Sequence, residues 1–388
     1  MQRTTRLLKQ PNVLAEHDPV VQPIYQSSVF RMPDHRVAAA TEHAVHPRAY
    51  YTRWGNPTVA YLENQVSTLV GTEASLIFPS GMSAITTTLL ALLSPGDTAA
   101  VSSRVYGDTT RFFLEELGRW GVKTRLFDPA APDTLRPLLQ DGARLVYYET
   151  LSNPELRVAD VDGIRRACQA HGATSVCDST FSPPGVLREG VVPADLVIHS
   201  MTKYMSGHFA AFGGSLSGPQ ALVDRIWHQQ ALLGGCLDPQ AAWQISQGLK
   251  TLELRVARQS ATARLLAEQL QGHPEVEAVL YPGLGASPAV PWLASGGGVL
   301  AMALKAGEAA AVRVAERTRV FGLSVSLGGV NSCIEHAESM SHSMLQAMDG
   351  QVLAAAGAAR PAAGLLRLAV GVEDPQDLLQ DLLQALAA

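Results

Sequence analysis

Between residues 73 and 200 the chain alternates short apolar runs with stretches of helical spacing, and this alternation restricts its fold more than any other feature. Runs rich in Ala, Val, Leu, Ile and Tyr predict strands at 73–78, 98–103, 144–150, 174–180 and 196–200. The spacing predicts helices at 59–69, 81–93, 109–120 and 161–171. Such a series folds as a mainly parallel α/β sheet covered on both faces, with ligands bound at the carboxyl ends of its strands. Those ends carry Tyr106, residues 149–153, residues 178–181 and Lys203.

Lys203 is the unusual member of this set. It follows the apolar run 194–199, is flanked by Ser200 and Thr202, and precedes Gly207 and Gly213-Gly214. It is one of only five lysines beside twenty-five arginines, so a casual surface charge is a less natural reading than usual. A lysine amine held out of water can lose its proton and form a Schiff base with an aldehyde, the way pyridoxal phosphate is anchored. That cofactor also requires a carboxylate at its ring nitrogen, an aromatic side chain over the ring and donors around its phosphate. Asp178 ends a strand one crossover before Lys203 and suits the first role. Tyr106 suits the second, and Gly81, Met82, Ser200 and Thr202 the third. Taken singly, Asp178 reads as a turn cap, Tyr106 as core and Thr202 as a strand former; their joint occurrence points to the cofactor.

The remaining sequence narrows the class. A net charge of -5 without a long basic run disfavours nucleic acid as the main partner and favours a small-molecule substrate. The amino terminus lacks the apolar stretch of a signal peptide, and no run of eighteen apolar residues predicts a membrane span, which leads us to expect a cytoplasmic protein. Cys168, Cys177, Cys236 and Cys333 lack paired spacing, so no metal site or disulfide framework is expected. Residues 1–58 cannot build a core alone and are expected to form an arm that packs on another surface, such as a second subunit. Residues 59–250 are expected to form the cofactor-binding domain. Residues 251–388 are expected to form a smaller α+β domain, built from 275–283, 296–304, a helix at 310–318, 365–374 and a helix at 374–386. One long helix over 241–271 is predicted to join them, and 353–363 reads as an alanine-rich turn.

Segments spread in order over nearly the whole chain carry a resemblance. They are YTRWGNPT at 51–58, FPSGMSA at 78–84, VYGDT at 105–109, ETLSNP at 149–154, CDSTFSPP at 177–184, SMTKYMSGH at 200–208, GLKTLELR at 248–255, SVSLGGVNS at 324–332 and LLRLAVGVED at 365–374. The chain thereby resembles the Cys/Met-metabolism family of pyridoxal-phosphate enzymes, which includes cystathionine γ-synthase, cystathionine γ- and β-lyase, methionine γ-lyase and the homoserine-ester sulfhydrylases. The resemblance implies an aspartate-aminotransferase-like (fold type I) architecture and a homotetramer of two active dimers. Tyr51 and Arg53 would reach the neighbouring subunit's site and hold its phosphate, and Arg367, with Asn153 and Ser326, would bind the substrate α-carboxylate. Lys203 and Tyr106 would carry the proton transfers.

The implied reaction is γ-elimination or γ-replacement on a sulfur-containing or O-acylated homoserine-type amino acid. Cystathionine β-lyase or methionine γ-lyase activity is the alternative, and a non-catalytic binding homologue is a further one. Members acting on cystathionine commonly carry acidic residues where this chain has Tyr50 and Asn331 at the substrate end of the site. Methionine γ-lyases usually carry a cysteine at the position of Asp108, and the loop after Lys203 departs from its usual GHSD at Phe209 and Ala210. These five positions are expected to set the substrate.

Overall fold

The computed structural model describes residues 1–14, 17, 19–284, 290–343 and 361–387. Its larger sheet has seven strands: β1 (Ala74–Phe78), β2 (Thr98–Ser102), β3 (Lys123–Phe127), β4 (Leu145–Glu149), β5 (Thr174–Asp178), β6 (Leu196–Ser200) and β7 (Gly214–Gly218). They lie in the order β1-β7-β6-β5-β4-β2-β3. The five predicted strands are all present, and β6, β5, β4, β2 and β3 are mutually parallel.

Two strands lie outside the sequence reading. Lys123 and Arg125 punctuate β3, which forms the sheet edge, so its apolar signal is weak. β7 has the sequence GSLSG and runs antiparallel to both β1 and β6, which makes the sheet mixed. Small side chains suit β7 because a Cβ on Gly214 would stand 2.1 Å from the carbonyl oxygen of Ser80.

Both faces are covered, as continuous apolar strands require. Ile77, Val146, Tyr148, Cys177 and Val197 belong to one core with Leu62 and Val66 of helix Pro57–Val70, Ile164 of Val161–His171 and Ile245 of Pro239–Leu249. Leu76, Tyr147, Val176 and Ile198 belong to another with Ile85 and Leu89 of helix Gly81–Leu92 and Ile226 of helix Gln220–Leu233.

The predicted helix over 241–271 is instead two, Pro239–Leu249 and Leu252–Leu270. Lys250 and Thr251 separate them, and Gly248, in the last turn of the first helix, is tightly packed there. A Cβ there would lie 2.2 Å from the Ser206 carbonyl oxygen, so the chain is pressed against the segment that follows Lys203. The Gly248 carbonyl, in turn, accepts from Arg255 Nη2 at 2.7 Å. The amphipathic period survives such a break, which is why periodicity alone joins the two pieces.

Leu252–Leu270 then covers a second sheet together with helices Gly307–Arg317 and Pro375–Leu386. Its strands are β8 (Val276–Leu280), β9 (Val299–Leu304), β10 (Gly322–Leu323), β11 (Cys333–His336) and β12 (Leu365–Ala369), ordered β10-β11-β12-β9-β8. Residues 353–360 of the predicted alanine-rich turn lie outside the described residues. Within the arm, Leu7 enters the main core and Arg3 Nε pairs with Glu253 Oε1 at 2.7 Å, whereas helix His35–Glu42 has no buried residue. Among the described residues no helix is long and apolar enough to cross a membrane.

Candidate active site

The carboxyl ends of β4, β5 and β6 open into a cavity of about 460 Å³, closed on its other side by residues 325–327 and Arg367. Lys203, Tyr106, Asp178, Gly81, Met82, Ser200, Thr202, Asn153, Ser326 and Arg367 all line it. Residues up to 286 positions apart are therefore assembled by strand order, not by local sequence.

Lys203 sits in the turn just past β6, where its N–H donates to Ser200 O at 3.2 Å and its carbonyl accepts from Gly207 N at 2.8 Å. Gly207 has φ +71°, and a Cβ there would fall 2.1 Å from Arg255 Nη1, so any other residue would be strained and would displace the guanidinium. Arg255 Nη1 donates to Tyr204 O at 2.8 Å and fixes the turn from behind. The lysine Nζ donates to Ser326 Oγ at 2.9 Å. Burial, with the Arg367 charge in support, pulls the amine down from its usual range to about 8. An amine with that affinity for protons is partly neutral near pH 7 and becomes a nucleophile or base without large reorganisation.

Asp178 ends β5 beside Glu149 at the end of β4, the two being register partners in parallel strands. Burial raises both carboxyls, and the Asp178 charge raises Glu149 further. Thr180 N, at 2.8 Å from Asp178 Oδ1, works the other way and favours the ionised form of Asp178. Glu149 Oε1 accepts from Tyr106 N at 2.6 Å, so this second carboxyl ties the Tyr106 loop to the sheet. Burial and the neighbouring Asp108 push the Tyr106 phenol up to about 12, which keeps it protonated.

Arg367 enters from β12, almost fully buried. Its Nη1 donates to Asn153 Oδ1 at 2.9 Å and its Nη2 to Ser326 O at 2.8 Å. Ser326 thus faces Lys203 with its hydroxyl and Arg367 with its carbonyl, from a backbone at φ +86° that non-glycine residues rarely adopt. Strain of this kind persists where the surroundings over-determine it, and here two cations do so.

Sequence reasoning passed over three residues of this site. Glu149 opens the ETLSNP segment at a strand end but received no role in the site. Glu335 lies opposite Arg367 in register on β11, in the run CIEH, which carries neither a motif nor a predicted element. His342 packs edge-on to Tyr106 at 6.3 Å, and its Nε2 lies 3.1 Å from Asn153 O. Burial and Arg367 hold this imidazole down at about 4 and hence neutral.

The phosphate candidates divide. Ser80 caps helix Gly81–Leu92 by accepting from Ser83 N at 3.0 Å, and first-turn N–H groups such as those of Gly81 and Met82 have no acceptor inside the helix. Thr202 Oγ1 is already engaged with Gly213, at 3.2 Å from its N and 3.3 Å from its O. Tyr51 and Arg53 do not line the cavity of their own chain. Tyr51 is 40% exposed and carries the Arg53 guanidinium over its ring at 5.2 Å. Tyr50 donates to Glu42 Oε2 at 2.6 Å and Asn331 is exposed; neither lines the cavity. Phe209, at φ +54°, packs over Gly329, while Phe212 reaches the cavity rim.

Comparison with known proteins decides the family. The profile of the Cys/Met metabolism PLP-dependent enzymes matches residues 4–387. This chain belongs to that family. It is 39% identical over 375 residues to the L-methionine γ-lyase of Pseudomonas putida, covering 95% of this chain and 93% of that one. It is 36% identical over 341 residues to the cystathionine γ-synthase of Mycobacterium leprae, covering 87% and 86%. The crystal structure of cystathionine γ-synthase from Xanthomonas oryzae pv. oryzae in complex with aminoacrylate and cysteine superposes with a TM-score of 0.89 at 33% identity, covering 100% of this chain and 98% of the other. Pyridoxal phosphate is accordingly the cofactor of this family member.

The cavity fits that cofactor on its own terms. Asp178 is a buried carboxylate at the cavity wall that pairs with no cation among the described residues, and a pyridinium nitrogen is the cation it lacks. The lowered Lys203 amine sets a measurable consequence. Below about pH 8 the amine is protonated and cannot attack the aldehyde, so cofactor uptake by the apoprotein should speed up about tenfold per pH unit and level off near pH 8. Stopped-flow absorbance across pH 6 to 10 checks this; a rate still climbing at pH 10 would return Lys203 to ordinary basicity.

Proposed function

We propose that this enzyme catalyses γ-elimination or γ-replacement on an L-amino acid whose γ-substituent is uncharged, such as a thioether, a thiol or an acyl ester. One observation carries the choice. Beyond the cofactor wall the cavity is lined by Met82, Ile85, Leu151, Phe212, Val325, Leu327 and Met340, and its acidic residues, Asp178 and Glu149, both belong to the strand ends. A distal ammonium, as in cystathionine, finds no carboxylate in this chain to replace its water. The 39% identity to an L-methionine γ-lyase supports the same reading.

In this reading Arg367 and Asn153 take the substrate α-carboxylate, and Ser326 holds Arg367 in place through its carbonyl. Bound pyridoxal phosphate supplies an electron sink for the charge that develops when the substrate α-proton leaves. Lys203 takes that proton and returns one further along the chain, because its lowered basicity lets Nζ act as base and acid near neutral pH. Asp178 stabilises positive charge at the cofactor ring nitrogen. Tyr106 stacks on the ring and, being protonated, donates a hydrogen bond without adding charge. Gly81, Met82 and Ser200 hold the phosphate from this chain, and Thr202 joins them when its hydroxyl turns from Gly213.

Tyr51 and Arg53 complete the phosphate site of a second copy. Support comes from the exposure of Tyr51, from the absence of both residues from their own cavity, and from helix His35–Glu42, which has no buried residue. The smallest assembly consistent with this is an active dimer, and pairing of two such dimers gives the expected homotetramer.

Two measurements follow. In a panel of methionine, homocysteine, O-acylhomoserines, cystathionine and cysteine with product identification, kcat/KM for the neutral-side-chain substrates should exceed that for cystathionine by at least about tenfold. The products should be 2-oxobutanoate with ammonia, or a new thioether when a thiol is supplied; preferential release of pyruvate from cystathionine would sink the reading. Separately, Arg53→Ala and Lys203→Ala subunits, each inactive alone, should regain about one quarter of wild-type activity when unfolded and reassembled together at equal amounts. No recovery means that each chain completes its own site.

A further inference from the structure

Arg367 already has an anionic partner inside the protein. β11 and β12 are antiparallel and bring Glu335 and Arg367 together in register. Glu335 Oε1 lies 3.0 Å from Arg367 Nη1, with the two side chains 1% and 3% exposed. Ser341, at the cavity wall, donates to the same Oε1 at 2.5 Å. The pair is nevertheless incomplete, since Glu335 Oε2 and Arg367 Nε are buried without a hydrogen-bond partner. An ion pair buried purely for architecture needs its remaining lone pairs and protons satisfied to offset desolvation. This one leaves an acceptor and a donor over, on a cation that borders a ligand cavity.

The charge balance explains the arrangement. Burial works against the Arg367 charge, and Glu335 is the largest influence supporting it. Asn153 and Ser326 contribute only neutral oxygens to the guanidinium. With Glu335 in place the cation stays oriented toward Asn153 before any ligand arrives, but a carboxylate binding to it must then share it with a resident anion.

We propose that Glu335 is a built-in counter-anion of Arg367 that pre-orients the guanidinium and competes with the substrate α-carboxylate, and so limits the affinity for amino acids. Glu335 is a positioning residue in this scheme and does not touch the reacting atoms. The inference rests on the reading above that Arg367 binds the substrate carboxylate. Ser341 moderates the competition, because its hydroxyl takes up part of the Glu335 charge at Oε1.

The test uses the holoenzyme and two unreactive competitors of one shape, L-norleucine and pentylamine, which differ only in the carboxylate. In wild type, norleucine should inhibit more tightly than pentylamine. In Glu335→Gln, which keeps shape and an acceptor oxygen, the inhibition constant for norleucine should fall about tenfold, the size of one charge-assisted hydrogen bond, while that for pentylamine stays put. A norleucine constant that is unchanged or higher in Glu335→Gln overturns the inference, since a purely architectural role predicts weaker binding. If pentylamine matches norleucine in wild type, the Arg367 reading fails and takes this inference with it. Should Glu335→Gln not fold, Ser341→Ala provides the opposite sign: Glu335 then pulls harder on Arg367, and the norleucine constant should rise about twofold to threefold. Tighter or unchanged norleucine binding in that variant also overturns it.

Discussion

Two groups of opposite charge preference are kept out of water in one cavity, and the rest of the structure serves that constraint. Desolvation disfavours the ionised form of each: it lowers the Lys203 amine and raises the Asp178 carboxyl. An interior that merely sought stability would bring the two together as an ion pair. Here the amine instead meets the Ser326 hydroxyl, and Asp178 meets the Thr180 N–H. The arrangement leaves a cation-seeking acid and a carbonyl-seeking amine as separate ends of one site, which is the polarity of pyridoxal phosphate itself.

Strand order makes the separation possible. β4, β5 and β6 are adjacent and parallel, so Glu149, Asp178 and Lys203 emerge side by side although fifty-four residues separate the first from the last. The second sheet supplies the lid of the site from the other direction through Ser326 and Arg367. Arg255 and Gly248 join the two parts: the guanidinium bonds carbonyls on the Lys203 turn and at the helix break, and the break lets the chain press against that turn. Packing between the two sheets and the chemistry of the lysine therefore share the same few contacts.

Much of this was readable before the structure. The short apolar strands gave the sheet and its ligand edge, and Lys203, Asp178 and Tyr106 stood out because a lysine, an acid and an aromatic at successive strand ends form a recognisable chemical set. What escaped has physical reasons. β7 is too small and polar to look like a strand, yet its smallness is what lets Ser80 approach. The helix break after Leu249 preserves the apolar period on both sides, so no local pattern marks it. Glu335 and His342 act through partners 32 and 189 residues away, Arg367 and Asn153, so neither has a local signature. Tyr50 and Asn331, which motif positions mark as substrate contacts, do not line the cavity of their own chain.

Lys203, alone among the five lysines, is the proposed attachment point of the cofactor, because the fold withdraws it from water at the cavity that Asp178 also lines. Borohydride reduction of the yellow holoprotein followed by peptide mass mapping tests this directly. A single pyridoxyl phosphate mass on the peptide containing Lys203 is the expected result. The same mass on Lys9, Lys123, Lys250 or Lys305, or on no lysine at all, would contradict the account.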